Sequence, residues 1–516
     1  MKVEDKFISI REENPVSCAA PRFGFRECLL LCLPALIAGV FFRTWQMILL
    51  PQALLDGDSG SFFKTSFLFW DHFEFYLESK RRWLYPIFLW LLPPVPLFSP
   101  ANLVAFLQHA AGMVSVVAAG WIAGNVLRFR RVFVPLFTLV YALWPEIVAM
   151  EHSAMAESFA TAGVIIATAL MFPLATLRRR LFPLLVMLFV VLAMKTIMRP
   201  YWGLLMLVTL FFAPPWTWQW RHWIPAVGCL VILAIPGNKT QPNWLLLSST
   251  LPFVKTEGKR WQPYRTELAP WIKSARATGS QYPWTQDHFK TPIKTRGEIG
   301  PNWDTLLGDK PKFATVAKSL AFEAIVTHPT DFVRLVIAKT GKALAEDTYA
   351  QLILPQQFIE PQSDRVNATR WIQEEPMMRM FFRMTAVEWA ANNERLARQT
   401  SLPGVALFRV YHVLTPSQMR VDPVTGENRI VVTWLGWMGI LGAAAMLVRR
   451  QWWPAIATAG IPAVFLLAIY CVGDSLGRHA LPAGWACFFL PAVFLDSIWT
   501  GAAALLGFCW QRSWNA

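Results

Sequence analysis

Charge is the scarcest property of this chain: Asp, Glu, Lys and Arg supply 16% of its 516 residues, against 55% hydrophobic residues. A typical soluble domain carries about 25% charged residues, so this composition excludes an ordinary soluble protein. Cysteine is sparse as well. None of the seven falls between residues 237 and 430, which excludes a disulfide-stapled module there. Cys28 and Cys32 share a helix face but have no His or Cys nearby in sequence to complete a soft-metal site, so they read as packing residues. The chain also lacks a Walker loop, a GxGxxG opening a helix, an HExxH and a GxSxG elbow. P-loop, dinucleotide, zinc-protease and serine-elbow chemistries are therefore all without their signature. No low-complexity tract and no repeat of roughly 20–50 residues stands out. The polar first 25 residues read as lacking a signal peptide.

Aromatic residues are abundant instead, with 26 Trp and 37 Phe, and several apolar runs approach the roughly 20 residues that cross a bilayer. The net charge of +15 falls in short clusters between those runs rather than on one soluble face. That distribution carries topology, not a nucleic-acid footprint. Lys2, Lys6, Arg11, Arg22 and Arg26 precede the first run and hold the N-terminus in the cytoplasm. Further apolar segments lie near 83–99, 101–125, 132–149, 158–176, 181–198, 201–214, 222–236, 431–448, 452–472 and 483–508. Reading the proline-rich 83–99 segment as interfacial leaves ten crossings. Arg128, Arg130 and Arg131, Arg178 to Arg180, and Arg449 and Arg450 then all face the cytoplasm.

The expected fold is thus an all-α polytopic membrane protein of about ten transmembrane helices, with interfacial helices and a mainly helical external domain. Residues 1–27 form a cytoplasmic segment, 28–236 the membrane domain with a first external loop at 51–100, 237–430 the external domain, and 431–516 the last helices. Within the external domain the pattern predicts two amphipathic helices over 312–347, broken at His328-Pro329-Thr330, and another over 367–398.

Chemistry-bearing residues collect on the far side. Asp56 and Asp58 stand in a Gly-rich turn straight after the first run. A carboxylate there can act as a general base or a metal ligand, or simply be a solvated turn. Glu151, His152 and Glu157 fall between the third and fourth spans, where a hydrated loop competes with a functional role. Lys195 and Arg199 are four apart on one helix face, Arg478 and His479 lie between the last two spans, and Lys80, Arg81 and Arg82 precede the interfacial segment. Cations on that side run against the usual bias, and a lipid-linked phosphate would account for them. The spans themselves read as largely uncharged at mid-depth.

Asp58-Ser59-Gly60-Ser61-Phe62, Arg82-Trp83-Leu84-Tyr85-Pro86, Glu157 at the start of the fourth span, Arg199-Pro200 and Gly477-Arg478-His479-Ala480-Leu481-Pro482 occur in this order. Together they resemble the motifs of the GT-C superfamily of membrane glycosyltransferases, which includes the protein O-mannosyltransferases and the lipid A aminoarabinose transferases. The resemblance implies a GT-C-like fold and a polyprenyl-phosphate-linked sugar as donor. Its phosphate would be held by Arg199 and Arg478 with Lys195, Arg82 and Arg81. Asp58, or Asp56, would deprotonate a hydroxyl of a glycan, lipid or protein acceptor, with Glu157, His152, His479 and Tyr85 in support. Such direct displacement inverts the sugar. No cofactor is required; Asp56, Asp58 and Glu157 offer ligands if Mg²⁺ or Mn²⁺ takes part. A bacterial inner membrane, with the site facing the periplasm, is the implied setting. Two alternatives stay open: a lipid-linked oligosaccharide flippase, and a polysaccharide polymerase or ligase.

Overall fold

A computed structural model describes residues 22–49, 84–92, 100–176, 250–278, 310–345, 414–421, 428–472 and 481–514, with scattered positions between them such as 53, 59, 62, 63 and 411. Most of these are helical. The first helix, α1 (Phe25–Leu49), buries Cys28, Cys32, Ala35, Gly39, Phe42, Arg43 and Gln46. These recur at steps of three and four, so one stripe of α1 faces protein. On the opposite stripe Leu30, Leu33, Ile37, Phe41 and Ile48 are exposed, an apolar surface suited to lipid.

The short helix α2 (Leu84–Leu91) follows, and then α3 (Pro100–Trp121), which runs on through a π-helical turn at Ile122–Val126. The next apolar run splits into α4 (Phe133–Ala142) and α5 (Pro145–Glu151), bent by 49°. Pro145 is the cause. It forces Trp144 out of the helical region to φ −66°, ψ 112°, because a residue before proline clashes in the α conformation. The chain then re-enters as α6 (Glu157–Thr176).

Among the described residues, α1 and the helix from Pro100 to Val126 are long and apolar enough to cross a membrane, and the bent α4–α5 pair makes a third if it counts as one span. This falls short of the ten crossings expected. The runs at 181–198 and 201–214 lie outside the described residues, and among the described residues the apolar stretches Glu157–Leu170, Trp434–Val448, Ile456–Leu467 and Ala486–Ala502 are 10–17 residues long, shorter than a full crossing needs.

Close approach of α1 to α3 depends on small residues. A Cβ on Gly120 would sit 2.1 Å from the Cys32 sulfur, and one on Gly39 would sit 3.1 Å from the Met113 sulfur. Gly120→Ala should therefore destabilise the protein by about 1–3 kcal/mol, the usual range for overpacking. Cys32→Ala in the same chain should restore most of that loss, because it removes the atom in the way. Thermal unfolding in detergent of the two single variants and the double variant checks both statements.

In the 237–430 region, α7 (Gln262–Thr278), α8 (Lys310–Thr327) and α9 (Pro329–Ala345) enclose a core of Leu251, Leu268, Ile272, Val316, Leu320 and Leu335. The helix break at His328 falls at the Pro329 position that the sequence marks. Arg265 is buried there and donates to Glu323 Oε2 at 2.6 Å and to the Lys255 carbonyl at 2.6 Å. The helix expected over 367–398 lies outside the described residues.

One departure from an all-helical chain is an antiparallel hairpin, β1 (Ser417–Val421) with β2 (Asn428–Val432), in register Met419 to Ile430. The β-branched run Ile430-Val431-Val432 favours a pleated strand. Gly341 on α9 lets Ile430 approach, and the Ser417 hydroxyl donates to the Gly341 carbonyl at 2.8 Å. The hairpin leads into α10 (Trp434–Val448), whose N-terminus the Thr433 side chain caps at the Gly436 N–H. Helix α11 (Ile461–Val472) follows a second π turn, and α12 (Ala486–Trp514) packs along α10. Gly442 permits that contact, since a Cβ there would lie 2.0 Å from the Leu490 carbonyl.

Candidate functional site

Breaking a helix inside an apolar bundle frees backbone carbonyls that have no water to meet, so side chains must satisfy them. Two polar residues on neighbouring helices do so at the α4–α5–α6 break. Arg43 on α1 donates through Nη1 to the Ala142 carbonyl at the end of α4, at 2.7 Å. Gln108 on α3 donates through its amide to the Glu151 and Ser153 carbonyls, at 2.7 and 2.6 Å. The Gln108 carbonyl oxygen accepts from the Tyr85 hydroxyl of α2 at 2.8 Å.

The same break places Glu151 at the end of α5, where it meets the rest of the Arg43 guanidinium. Nε and Nη2 reach the two carboxylate oxygens at 2.7 and 2.8 Å, a bidentate pair in which both side chains are under 5% exposed. His109, next to Gln108 on α3, brings Nδ1 to 2.9 Å from Glu151 Oε2. Its Nε2 lies 2.9 Å from Nδ1 of His152, the first residue past α5. Arg43, Glu151, His109 and His152 thus form one continuous buried chain. Gly112, one turn along α3, makes room for it: a Cβ there would sit 1.8 Å from Glu151 Oε1.

Depth follows from helix rise. Arg43 lies six residues inside the Leu49 end of α1, about 9 Å at 1.5 Å per residue, and His109 lies about 14 Å inside the Pro100 end of α3. Ionisable groups that far inside an apolar bundle are costly, and they mark function more often than packing.

Around Tyr85 the walls are aromatic. Phe62 meets its ring edge-on at 4.9 Å, Phe88 lies 5.7 Å away, and Phe159 of α6 packs on Phe88 at 4.9 Å. Phe62 and the fully buried Ser59, both helical, follow Asp58 in the sequence, and the Ala53 N–H donates to the Ala101 carbonyl at 3.2 Å. Glu157 opens α6, is 7% exposed, and lies close enough to Tyr85 for its charge to act there. From the other side, the helix Leu481–Gly484 packs on α6, and Gly484 accommodates the Trp144 indole, which a Cβ would approach to 2.3 Å.

Of the residues expected from sequence, Tyr85, His152 and Glu157 come together here. Asp56, Asp58, Arg81, Arg82, Lys195, Arg199, Arg478 and His479 lie outside the described residues. Two expectations need correcting. The 151–157 segment is not a hydrated loop: Glu151 and His152 are 2% and 0% exposed. Nor are the spans uncharged in depth, since Arg43 and His109 sit within two of them. Those two residues and Gln108 were missed because Arg43 and the Gln108-His109 pair are short polar interruptions in apolar runs. That isolation was itself the available signal, since a lone span arginine requires a partner from another helix.

Among the described residues no group of three or more His, Cys, Asp or Glu side chains is arranged to hold a metal ion. Compared with models of known protein families, with curated proteins and with solved structures, the chain matches none.

Proposed function

We propose that the protein is an inverting membrane glycosyltransferase of the GT-C kind, moving a sugar from a polyprenyl-phosphate donor to a hydroxyl of a cell-envelope acceptor. The observation that carries this reading is the convergence at one break in the bundle. Phe62, which follows Asp58 in the sequence, the short helix with Tyr85, Glu157 at the start of α6 and the helix Leu481–Gly484 that follows the Gly477–Pro482 motif all meet there. Those four come from separate places in the sequence, and the resemblance assigns each of them to the same catalytic region. Asp58 is the base, and Arg199 and Arg478 hold the donor phosphate with Lys195, Arg82 and Arg81. The site faces the periplasm of a bacterial inner membrane in a chain of about ten crossings.

The deciding experiment is transfer of radiolabelled sugar from polyprenyl phosphate by purified wild type and Asp58→Asn, with membrane extract as acceptor. Turnover should fall at least about 100-fold in the variant with donor binding retained, the usual scale for loss of a general base. Full activity in Asp58→Asn overturns its assignment.

A flippase is the second reading, favoured by one observation: a broken span with buried ionisable side chains at its break is how many transporters build a binding site. It predicts lipid-linked sugar crossing vesicle membranes without any transfer product.

A further inference from the structure

The opposite end of α1, about 27 Å from Arg43 at 1.5 Å per residue, holds a cationic corner that sugar transfer does not use. Phe23, just before α1, is bound to the π-helical turn that ends α3. Its N–H donates to Asn125 Oδ1 at 2.8 Å, and the Asn125 amide donates back to the Phe23 carbonyl at 3.3 Å. Gly124 leaves room for the ring, which a Cβ there would approach to 2.7 Å. Two guanidinium groups lie over that one ring, Arg22 at 5.2 Å and Arg131 at 5.7 Å from its centroid. Arg22 is fixed further by the Arg128 and Phe129 carbonyls, at 3.0 and 3.2 Å, and Arg131 by Glu27. Arg26, Arg128 and Arg130 complete the corner, and among the described residues their side chains take no partner. Within 22–27 and 125–132, Glu27 is the one acid against these five arginines.

Arg128 also stands where glycine is the favoured residue. Its φ is +55°, and the N–H groups on either side of it, of Leu127 and Phe129, return to the Ile122 and Ala123 carbonyls at 2.9 Å. It is thus the left-handed residue that closes a helix end. The chain makes the same choice after α10, where Arg450 has φ +55° and the Gln451 N–H returns to the Met446 carbonyl at 2.9 Å. These are two of the three non-glycine residues with positive φ among the described residues. A cation within the last helical turn would answer the helix dipole without strain, and topology asks for positive charge, not for this backbone position. The strain therefore points to a ligand for the guanidinium. The rim of the corner is apolar: Phe25 and Leu30 on α1 and Val132 past the turn are all exposed, as are Val448 and Trp452 around Arg450.

We infer that Arg22, Arg26, Arg128, Arg130 and Arg131 form a binding site for the phosphodiester headgroup of an anionic phospholipid, with its acyl chains along Phe25, Leu30 and Val132. Guanidinium groups bind phosphate oxygens bidentately, and basic pockets between membrane helices suit such headgroups. A free phosphate would use the arginines and leave the apolar rim idle, whereas a lipid uses both. A zwitterionic headgroup brings its own cation into a corner already rich in them. Held by Arg26 on α1 and Arg128 in the turn, the headgroup joins the same two elements that Phe23 and Asn125 join.

The test is thermal unfolding of purified full-length protein, stripped of lipid in a neutral detergent, with phosphatidylglycerol, phosphatidylcholine or sodium phosphate added at equal phosphorus. Wild type should melt higher with phosphatidylglycerol and unchanged with the other two. Arg128→Gly should give two effects of opposite sign. Without lipid it should melt above wild type, because glycine takes a positive φ at no steric cost. With lipid, the phosphatidylglycerol needed for the half-maximal shift should rise about tenfold, the scale of one lost charge-assisted hydrogen bond. Arg26→Gln, which alters no backbone strain, should leave lipid-free melting unchanged and weaken the lipid response by a similar factor. Lower lipid-free melting in Arg128→Gly, joined to an unchanged lipid response in both variants, makes the arginines structural and overturns the site. An equal shift with phosphatidylcholine overturns the anionic headgroup, and a full shift with sodium phosphate overturns the lipid in favour of a free-phosphate site. The readout does not involve sugar transfer, so it stands apart from the transferase reading.

Discussion

Arg43→Leu should lower the stability of the helical bundle by about 3–5 kcal/mol, the cost of breaking a buried ion pair by removing one partner. Four contacts go at once: both bonds to Glu151, the bond to the Ala142 carbonyl that ends α4, and a longer one to the Gly39 carbonyl at 3.4 Å. The orphaned carbonyl alone costs about 1–3 kcal/mol, because no water reaches it. His109 still contacts Glu151, so part of the carboxylate's satisfaction survives and the upper end of the range is not reached by electrostatics alone. Arg43→Lys keeps the charge but loses the planar fork, and should fall between the two. In Arg43→Leu/Glu151→Leu the stranded charge disappears, so most of the loss should return, leaving the deficit of the Ala142 carbonyl. Unfolding by SDS titration of all four proteins separates these terms. Equal loss in the single and double Leu variants would show that the pair's charge contributes nothing.

How much of this was legible in the sequence depends on which interaction placed each residue. Tyr85 and Glu157 were legible because local chemistry puts them at element ends, the one beside Pro86 in the first turn of a short helix and the other at a helix N-terminus. The break at His328-Pro329 was legible for the same reason. The bend at Trp144 was not read, although Pro145 announces it, because an apolar run of the right length looks like one crossing. Missing that bend hid the rest. Without it Glu151 belongs to a loop, and nothing calls for Arg43 or Gln108 to reach it. The partners lie 108 and 43 residues apart in the chain, so no local pattern links them. The hairpin at 417–432 was missed because its five-residue strands sit between turn residues and a helix, too short for alternation to stand out.

Gly112→Ala tests the geometry against the helix scale, because the two disagree in sign. In an exposed helix interior the change from Gly to Ala adds about 0.8–1.0 kcal/mol of stability through backbone entropy. Here the new Cβ would sit 1.8 Å from Glu151 Oε1 and 2.3 Å from its carboxyl carbon. Neither end of the contact can yield cheaply. Helix α3 is held to α1 and α6 by packing, and the carboxylate is fixed by Arg43 on one side and His109 on the other. Moving it by more than an ångström breaks the bidentate geometry and the first link of the histidine chain. The expected result is a net loss of about 2–4 kcal/mol, overpacking at about 1–3 plus weakened charge-assisted bonds, instead of a gain. Glu151→Asp shortens the side chain by one methylene, so Gly112→Ala/Glu151→Asp should be more stable than Gly112→Ala, a positive coupling that only residues in contact can show. The ¹⁵N-histidine spectrum should move with it: His109, whose Nδ1 faces the Glu151 carboxylate, loses its fixed Nδ1–H form in Gly112→Ala and regains it in the double variant. A Gly112→Ala protein as stable as wild type, with the His109 tautomer unchanged, would mean that the Glu151 carboxylate is not held where the Arg43 and His109 bonds require it.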